Sequence, residues 1–231
     1  MSGRKADPEG VPAPTAMESR LGILQQAMRL VVPPVLTVAL FFAAVWFFLY
    51  PQMRSVIMHG EKELVKQITH SGWSVLDQYE ERVKAGEMTR EEAQAAALEV
   101  IRHMRFGQQK RDYLWIINEE PRMILHPYRP DLEGQDVSDY TDPRGKRLFV
   151  EMKEIAEAEG AGHLEYLWQV RGEQNRIVPK MSFVEVYEPW GWIIGSGVYL
   201  HEIEQDIEQW LHQAIGVTGA ILAVVIALSL Y

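Results

Sequence analysis

The spacing of apolar positions changes repeatedly along this chain, and each change marks a predicted element. Residues 30–50 are apolar almost throughout, and no charged residue falls between Arg29 and Arg54. A helix of about twenty such residues spans roughly 30 Å of hydrocarbon, so this run predicts a membrane-spanning helix. It is too long for the core of a signal peptide, and no small-residue cleavage site follows it. Pro33 and Pro34 are placed near its start, where a missing amide donor costs least, with Trp46 and Tyr50 at the far interface. From residue 52 to 85, Met53, Ile57, Leu64, Ile68 and Val75 recur near helical spacing among charges. That pattern predicts a long amphipathic helix, ended by Gly86. Thr89 with Glu92 forms a capping box and opens a second helix over 90–104.

The period then drops to two. Tyr113, Trp115 and Ile117 alternate with Leu114 and Ile116, and aromatic and β-branched residues suit a pleated, buried surface. Asn118-Glu119-Glu120-Pro121 supplies a turn. Residues 122–127 return as a second strand with Ile124 and His126 on one face, so 112–127 reads as a β-hairpin. Residues 128–145 are rich in Gly, Pro and Asp and predict a loop of a length that is usually functional. Leu148, Phe149, Met152 and Ile155 mark a helix over 146–158. Three strands follow, over 162–170, 177–187 and 190–200, joined by a loop at 171–175 and a turn at Glu188-Pro189. From His201 the spacing is helical again, and the pattern runs unbroken into the uncharged stretch 214–230, a second span. The expected fold is α+β: a five-stranded antiparallel sheet with helices packed on it and a long helix preceding it.

Two spans put both ends on one side of the membrane. Arg20 and Arg29 flank the first span and favour the cytoplasm for those ends. The expected partition is a cytoplasmic tail at 1–29, a span at 30–50, an extracytoplasmic domain at 51–213 and a span at 214–231. The first nineteen residues are Gly-, Pro- and Ala-rich and predict a disordered tail.

Composition narrows the chemistry. A net charge of −9 argues against a nucleic-acid surface. The absence of cysteine removes disulfides, thiolate zinc sites and a thiol nucleophile. There is no phosphate loop, no paired-histidine zinc helix and no serine elbow. His163 and Glu165, two apart on a strand, read as a solvated pair rather than metal ligands. Nothing in the pattern calls for catalysis, a metal or a cofactor. What remains is polar groups embedded in apolar strands. Lys180 shares a face with Val178, Ser182 and Val184, and is either a snorkelling edge residue or a placed cation. His126 is either a satisfied core histidine or a donor. Tyr166 and Trp168 are more often core than pocket. Arg105 closes the second helix, where it also complements the helix dipole. Taken together, a cation, an imidazole, a phenol and two tryptophans suit a small carboxylate bound in an apolar cleft.

Several blocks carry a resemblance. Tyr113-Leu114-Trp115-Ile116, Ile124-Leu125-His126-Pro127, Leu132-Glu133-Gly134-Gln135-Asp136 and Asp142-Pro143-Arg144-Gly145-Lys146 resemble the single Cache sensor domain in its second variety. So do Tyr166-Leu167-Trp168, Pro179-Lys180-Met181-Ser182-Phe183-Val184 and the segment from Pro189 to Tyr199. The resemblance covers residues 56–207. It implies a PAS-like sheet topped by a long helix, placed between two spans of a bacterial receptor such as a chemotaxis protein or a histidine kinase. It implies a small organic ligand, commonly a short carboxylate, held by Trp115, His126, Tyr166 and Lys180, with Arg105 from the preceding helix. The expected protein is an inner-membrane sensor with its domain in the periplasm or outside the cell. It would form a homodimer through the long helix and act on a cytoplasmic signalling partner. A ligand-free membrane-anchored scaffold or adhesion module is the alternative.

Overall fold

The computed structural model describes residues 16–107, 109–171 and 173–229. The chain divides into Met53–Gln209 and a second unit of Met1–Gln52 with Trp210–Tyr231.

In the first unit, helix α2 (Tyr50–Lys84) leads to α3 (Arg90–His103). The Thr89–Glu92 capping box forms as expected, with Thr89 Oγ1 accepting from Glu92 N at 3.2 Å and Glu92 accepting from Thr89 N at 2.9 Å. The strands are β1 (Arg105–Phe106), β2 (Asp112–Asn118), β3 (Met123–Leu125), β4 (Ala161–Val170), β5 (Glu173–Tyr187) and β6 (Trp192–Tyr199), with α4 (Leu148–Glu159) between β3 and β4. They form an antiparallel sheet in the order β1-β2-β6-β5-β4, with β3 also on the outer side of β2. The last strand therefore ends in the middle of the sheet. The expected five strands are all present. The sixth, β1, is two residues long, too short to show any period, and it takes Arg105 out of the second helix. The β4–β5 turn is tighter than expected, because β5 already begins at Glu173.

Period two sorts the side chains onto two faces. Leu114, Ile116, Ile194 and Tyr187 face the helical side and pack with Leu76 of α2 and Ala93, Ala97 and Ile101 of α3. Gly72 of α2 permits this approach, since a Cβ there would meet Leu114 and Ile194. Tyr113, Trp115, Ile117, Val184 and Ile193 face the other way, under Leu148, Phe149, Met152 and Ala156 of α4. The outer edge of β4 is strapped rather than open. Asp142 accepts from Leu167 N at 3.0 Å, and Lys146 Nζ donates to Glu165 O at 2.9 Å. Blocking an unpaired edge in this way is a common protection against strand addition.

In the second unit, α1 (Ala16–Ala44) runs into a π-helical turn, Val45–Leu49. The helix starts at Ala16 and runs into the expected span, as the sequence over 18–29 allows, so Pro33 and Pro34, near the start of the span, lie inside α1. Thr37 Oγ1 donates to Pro33 O at 2.9 Å, adding a bond within a turn that lacks two amide donors. Among the described residues, one helix, Val32–Lys84, is long and apolar enough to cross a membrane. Helix α5 (Leu200–Ser229) follows β6 without a break, starts within the first unit, and contains most of the expected second span. Leu230 and Tyr231, and the part of the expected tail at 1–15, lie outside the described residues.

Candidate functional site

Two glycines let the side chains of the candidate site close over the central strand. On the α4 face, β6 carries Gly195 and Gly197 between Trp115 and Tyr113 of β2 and Val184 and Ser182 of β5. A Cβ on Gly195 would meet the Trp115 indole, and one on Gly197 would meet Ser182 Oγ and lie 2.9 Å from Lys180 Cε. Glycine inside a strand commonly marks such an approach. Side chains from both flanks lean across this gap. Trp115, His126, Leu148, Phe149, Tyr166 and Trp168 line a narrow hollow whose walls leave no room for a water molecule. Drug-sized ligand pockets hold about 300–1,000 Å³, so even a molecule of a few heavy atoms enters only as these side chains move apart.

Lys180 stands immediately beside it. It pairs across the sheet with Tyr166 on one side and Tyr199 on the other, which puts all three side chains on one face. It is fully buried. Its Nζ donates to Tyr113 Oη at 3.0 Å and lies 4.1 Å from the Tyr113 ring centroid and 5.1 Å from that of Tyr199. Among the described residues it forms no ion pair. Burial pulls its ammonium down to about 7, an effect Asp112 opposes and Arg171 reinforces. Tyr113 Oη also accepts from Trp168 Nε1 at 3.1 Å, and Tyr166 Oη shares a 2.9 Å hydrogen bond with Ser182 Oγ. Burial raises the Tyr113 and Tyr166 phenols above their usual value, so both remain hydroxyls at neutral pH.

His126 is held by its backbone. His126 N donates to Glu133 Oε1 at 2.9 Å, and Glu133 is gripped by both Nη atoms of Arg102, each at 2.9 Å. The imidazole is left buried against Tyr113 and Trp168, with Nδ1 unpartnered among the described residues. Burial, then Lys180 and Arg129, hold it well below its usual value, so it is neutral. The 126–147 segment is fastened across the hollow at two points. Arg129 Nη1 donates to Gln169 Oε1 at 3.0 Å while its other nitrogens grip Asp131. Asp142 Oδ1 accepts from Arg144 N and Lys146 N, and its Oδ2 from Leu167 N. Burial alone would raise the Asp142 carboxyl, but these amides outweigh it and lower it. The strap fixes the start of α4, and so Leu148 and Phe149, over the cavity.

Of the residues expected from sequence, the structure brings Trp115, His126 and Tyr166 onto the hollow and Lys180 next to it. Arg105 is elsewhere. Its guanidinium donates to Arg102 O and Met104 O and lies 5.7 Å from the Tyr128 ring, exposed. Sequence reasoning passed over Tyr113, which supports the Lys180 ammonium, and the Gly195/Gly197 pair. The signal for the latter was available: two glycines at period two inside an otherwise apolar strand.

A PAS-like sheet with a small buried cavity under a strapped loop defines a sensor domain. The chain belongs to the single Cache domain 2 family, whose model matches residues 57–213. It is 34% identical over 179 residues to the methyl-accepting chemotaxis protein McpP of Pseudomonas putida, covering 77% of this chain and 32% of that protein. It is 33% identical over 94 residues to the sensor histidine kinase MctS of Rhizobium johnstonii, covering 41% of this chain and 20% of that one. The chain thus spans a third or less of the length of these relatives. Among solved structures it resembles a periplasmic sensor domain of a chemotaxis protein, with TM-score 0.58 and 39% identity over 62% of this chain and 96% of that one. It also resembles a Cache chemosensory domain solved to explain carboxylic acid recognition, with TM-score 0.59 and 40% identity over 63% and 97%.

Proposed function

We propose that this chain is the sensing portion of a bacterial inner-membrane receptor and binds a short monocarboxylate. Residues 51–213 lie outside the cytoplasm between spans at 30–50 and 214–231. The carboxylate is taken by the Lys180 ammonium and the neutral His126, and its short apolar end packs on Trp115, Trp168 and Phe149. The observation that carries this reading is a fully buried lysine with no carboxylate partner among the described residues. An unpaired buried ammonium is costly, and a bound carboxylate supplies the missing charge in a water-poor setting where such hydrogen bonds are strong. The carboxylic acid recognition studied in a 40%-identical neighbour supports the same ligand class. The role is binding, not catalysis. The output runs through α5 to a cytoplasmic signalling partner, as the receptor and kinase relatives suggest. Exposed Val56 and Leu64 on α2 support a homodimer contact there.

A thermal-shift series on the full chain in lipid nanodiscs tests the reading with acetate, propionate, lactate and pyruvate. Saturation to about a hundredfold over Kd stabilises by about 2.7 kcal/mol. If none of the four acids raises the melting temperature, the carboxylate assignment fails.

A further inference from the structure

Arg171 is a second buried cation, outside the hollow, and its side chain is 3% exposed. It sits in the tight β4–β5 turn with φ at +31°, a conformation L side chains adopt only when their surroundings impose it. Three contacts impose it. The guanidinium lies 2.6 Å from Asp112 Oδ1 through Nη2. It grips both Glu202 oxygens, at 2.6 and 2.8 Å. Its Cζ lies 4.9 Å over the Tyr199 ring, and its backbone N donates to Tyr199 Oη at 3.1 Å. Tyr199 Oη in turn donates to Gln169 O at 2.9 Å.

Each contact leads to a different part of the machinery. Asp112 directly precedes Tyr113, the hydroxyl that holds Lys180. Tyr199 is the second ring beneath the Lys180 ammonium, and it directly precedes Leu200, the first residue of α5. Glu202 lies in the first turn of α5. We infer that Arg171 is a positioning residue that couples occupancy of the Lys180 pocket to the setting of the first turn of α5. The inference rests on the sensor reading above.

The two anchors differ in a way that suits a coupling element. Asp112 is buried on strand β2, whereas the Glu202 side chain is 35% exposed. Glu202 and Arg171 border an open polar cleft of ≈ 390 Å³, which Tyr199, Arg176 and His201 also line. Water can therefore replace Glu202 as α5 shifts, while Asp112 keeps the guanidinium paired. Losing both partners would leave a buried charge uncompensated, which is strongly destabilising. The arrangement thus permits two settings of the helix start at modest cost and penalises escape from either. A ligand that draws Lys180 off Tyr113 and Tyr199 changes the load on the two groups braced against Arg171. By linkage, altering the brace must alter ligand affinity in return.

The test uses the full chain in nanodiscs, with propionate, acetate, lactate and pyruvate as probes. Binding is read by calorimetry, and amide hydrogen exchange of residues 200–203 is read with and without the acid. In the native chain, binding changes exchange in that turn. In Glu202→Gln the pocket is untouched, yet the affinity shifts by about fivefold, the low end of ordinary coupling, and the exchange response is lost. A merely structural role would lower the melting temperature without removing that response. Should Glu202→Gln fail to fold, Glu202→Asp, with its charge one methylene back, makes the same comparison. Native affinity and an intact exchange response in the variant overturn the coupling and leave the pocket reading standing. Failure of the native chain to bind any of the four acids overturns both.

Discussion

The Lys180 ammonium rests 3.0 Å from the Tyr113 hydroxyl and 4.1 Å from the centre of the same ring. One tyrosine thus offers it both a lone pair and a π face. These are weaker substitutes for a carboxylate, and they keep the cation in place without neutralising it. A charge held this way is available to an incoming anion.

Lys180→Met therefore removes carboxylate binding by at least about tenfold, a lost charged hydrogen bond of 1.5–3 kcal/mol, and does not destabilise the fold at neutral pH. The pH dependence follows from the protons. The folded group titrates at about 7, and the unfolded one at 10.5. Between these values the unfolded chain holds a proton that the folded chain has released, so stability climbs as pH rises through this window. The climb vanishes in Lys180→Met. Carboxylate binding restores the proton, so Kd weakens by up to about tenfold per pH unit above 7. Calorimetry in two buffers of different ionisation enthalpy reads the proton uptake.

Gly197→Ala is expected to be disproportionately harmful for one methyl group. Its Cβ would meet Ser182 Oγ, backbone Met181 O at 2.6 Å and Lys180 Cε at 2.9 Å. The carbonyl cannot retreat without breaking the β5–β6 ladder. Overpacking of this kind costs about 1–3 kcal/mol, and the displaced lysine also abolishes ligand-induced stabilisation. Denaturant titration with and without propionate separates the two effects.

Asp142→Asn keeps the shape of the strap but removes its charge, and one oxygen becomes an amide that cannot accept. Leu167 N or the Arg144 and Lys146 amides then lose their acceptor, at about 1–3 kcal/mol. Because the folded carboxyl is lowered below its ordinary 3.8, its contribution is present above that value and is lost as pH falls through the folded value. The variant and native chains therefore differ near neutrality and converge in strong acid. Amide exchange at residues 148–149 should rise in the variant, as the start of α4 loosens.

Topology is open to direct chemical mapping, since the chain contains no cysteine. Single variants Glu91→Cys and Met17→Cys, both at exposed positions, are expected to behave oppositely toward a membrane-impermeant maleimide in spheroplasts. Position 91 is labelled at once and position 17 only after permeabilisation. Labelling of both, or of position 17 alone, would reverse the assignment.

Much of the architecture was legible in the sequence because period two and period 3.6 are local signals. They located the hairpin, α4 and the three closing strands, and they placed Lys180 and Ser182 on one face. The convergence of Trp115, His126 and Tyr166 was implied by the resemblance to the Cache family, since strand faces alone left His126 and Tyr166 readable as core. Features that depend on partners distant in sequence were not legible. Arg105 looked like the end of a helix because two residues of strand have no period to display. Tyr113 looked like ordinary core, since only the return of β5 two strands away brings Lys180 over it. Arg171 looked like a loop former, and its burial depends on Asp112 and Glu202, 59 and 31 residues away.

The straps along β4 carry a last implication for assembly. Asp142 and Lys146 occupy main-chain groups on that strand, and on the opposite side β1 and β3 flank β2. Among the described residues, both borders of the sheet are thus partly taken up within the domain. A contact between copies through the exposed side of α2 would therefore bear on the class of element that leads to the bilayer, and would leave the pocket-bearing sheet undistorted.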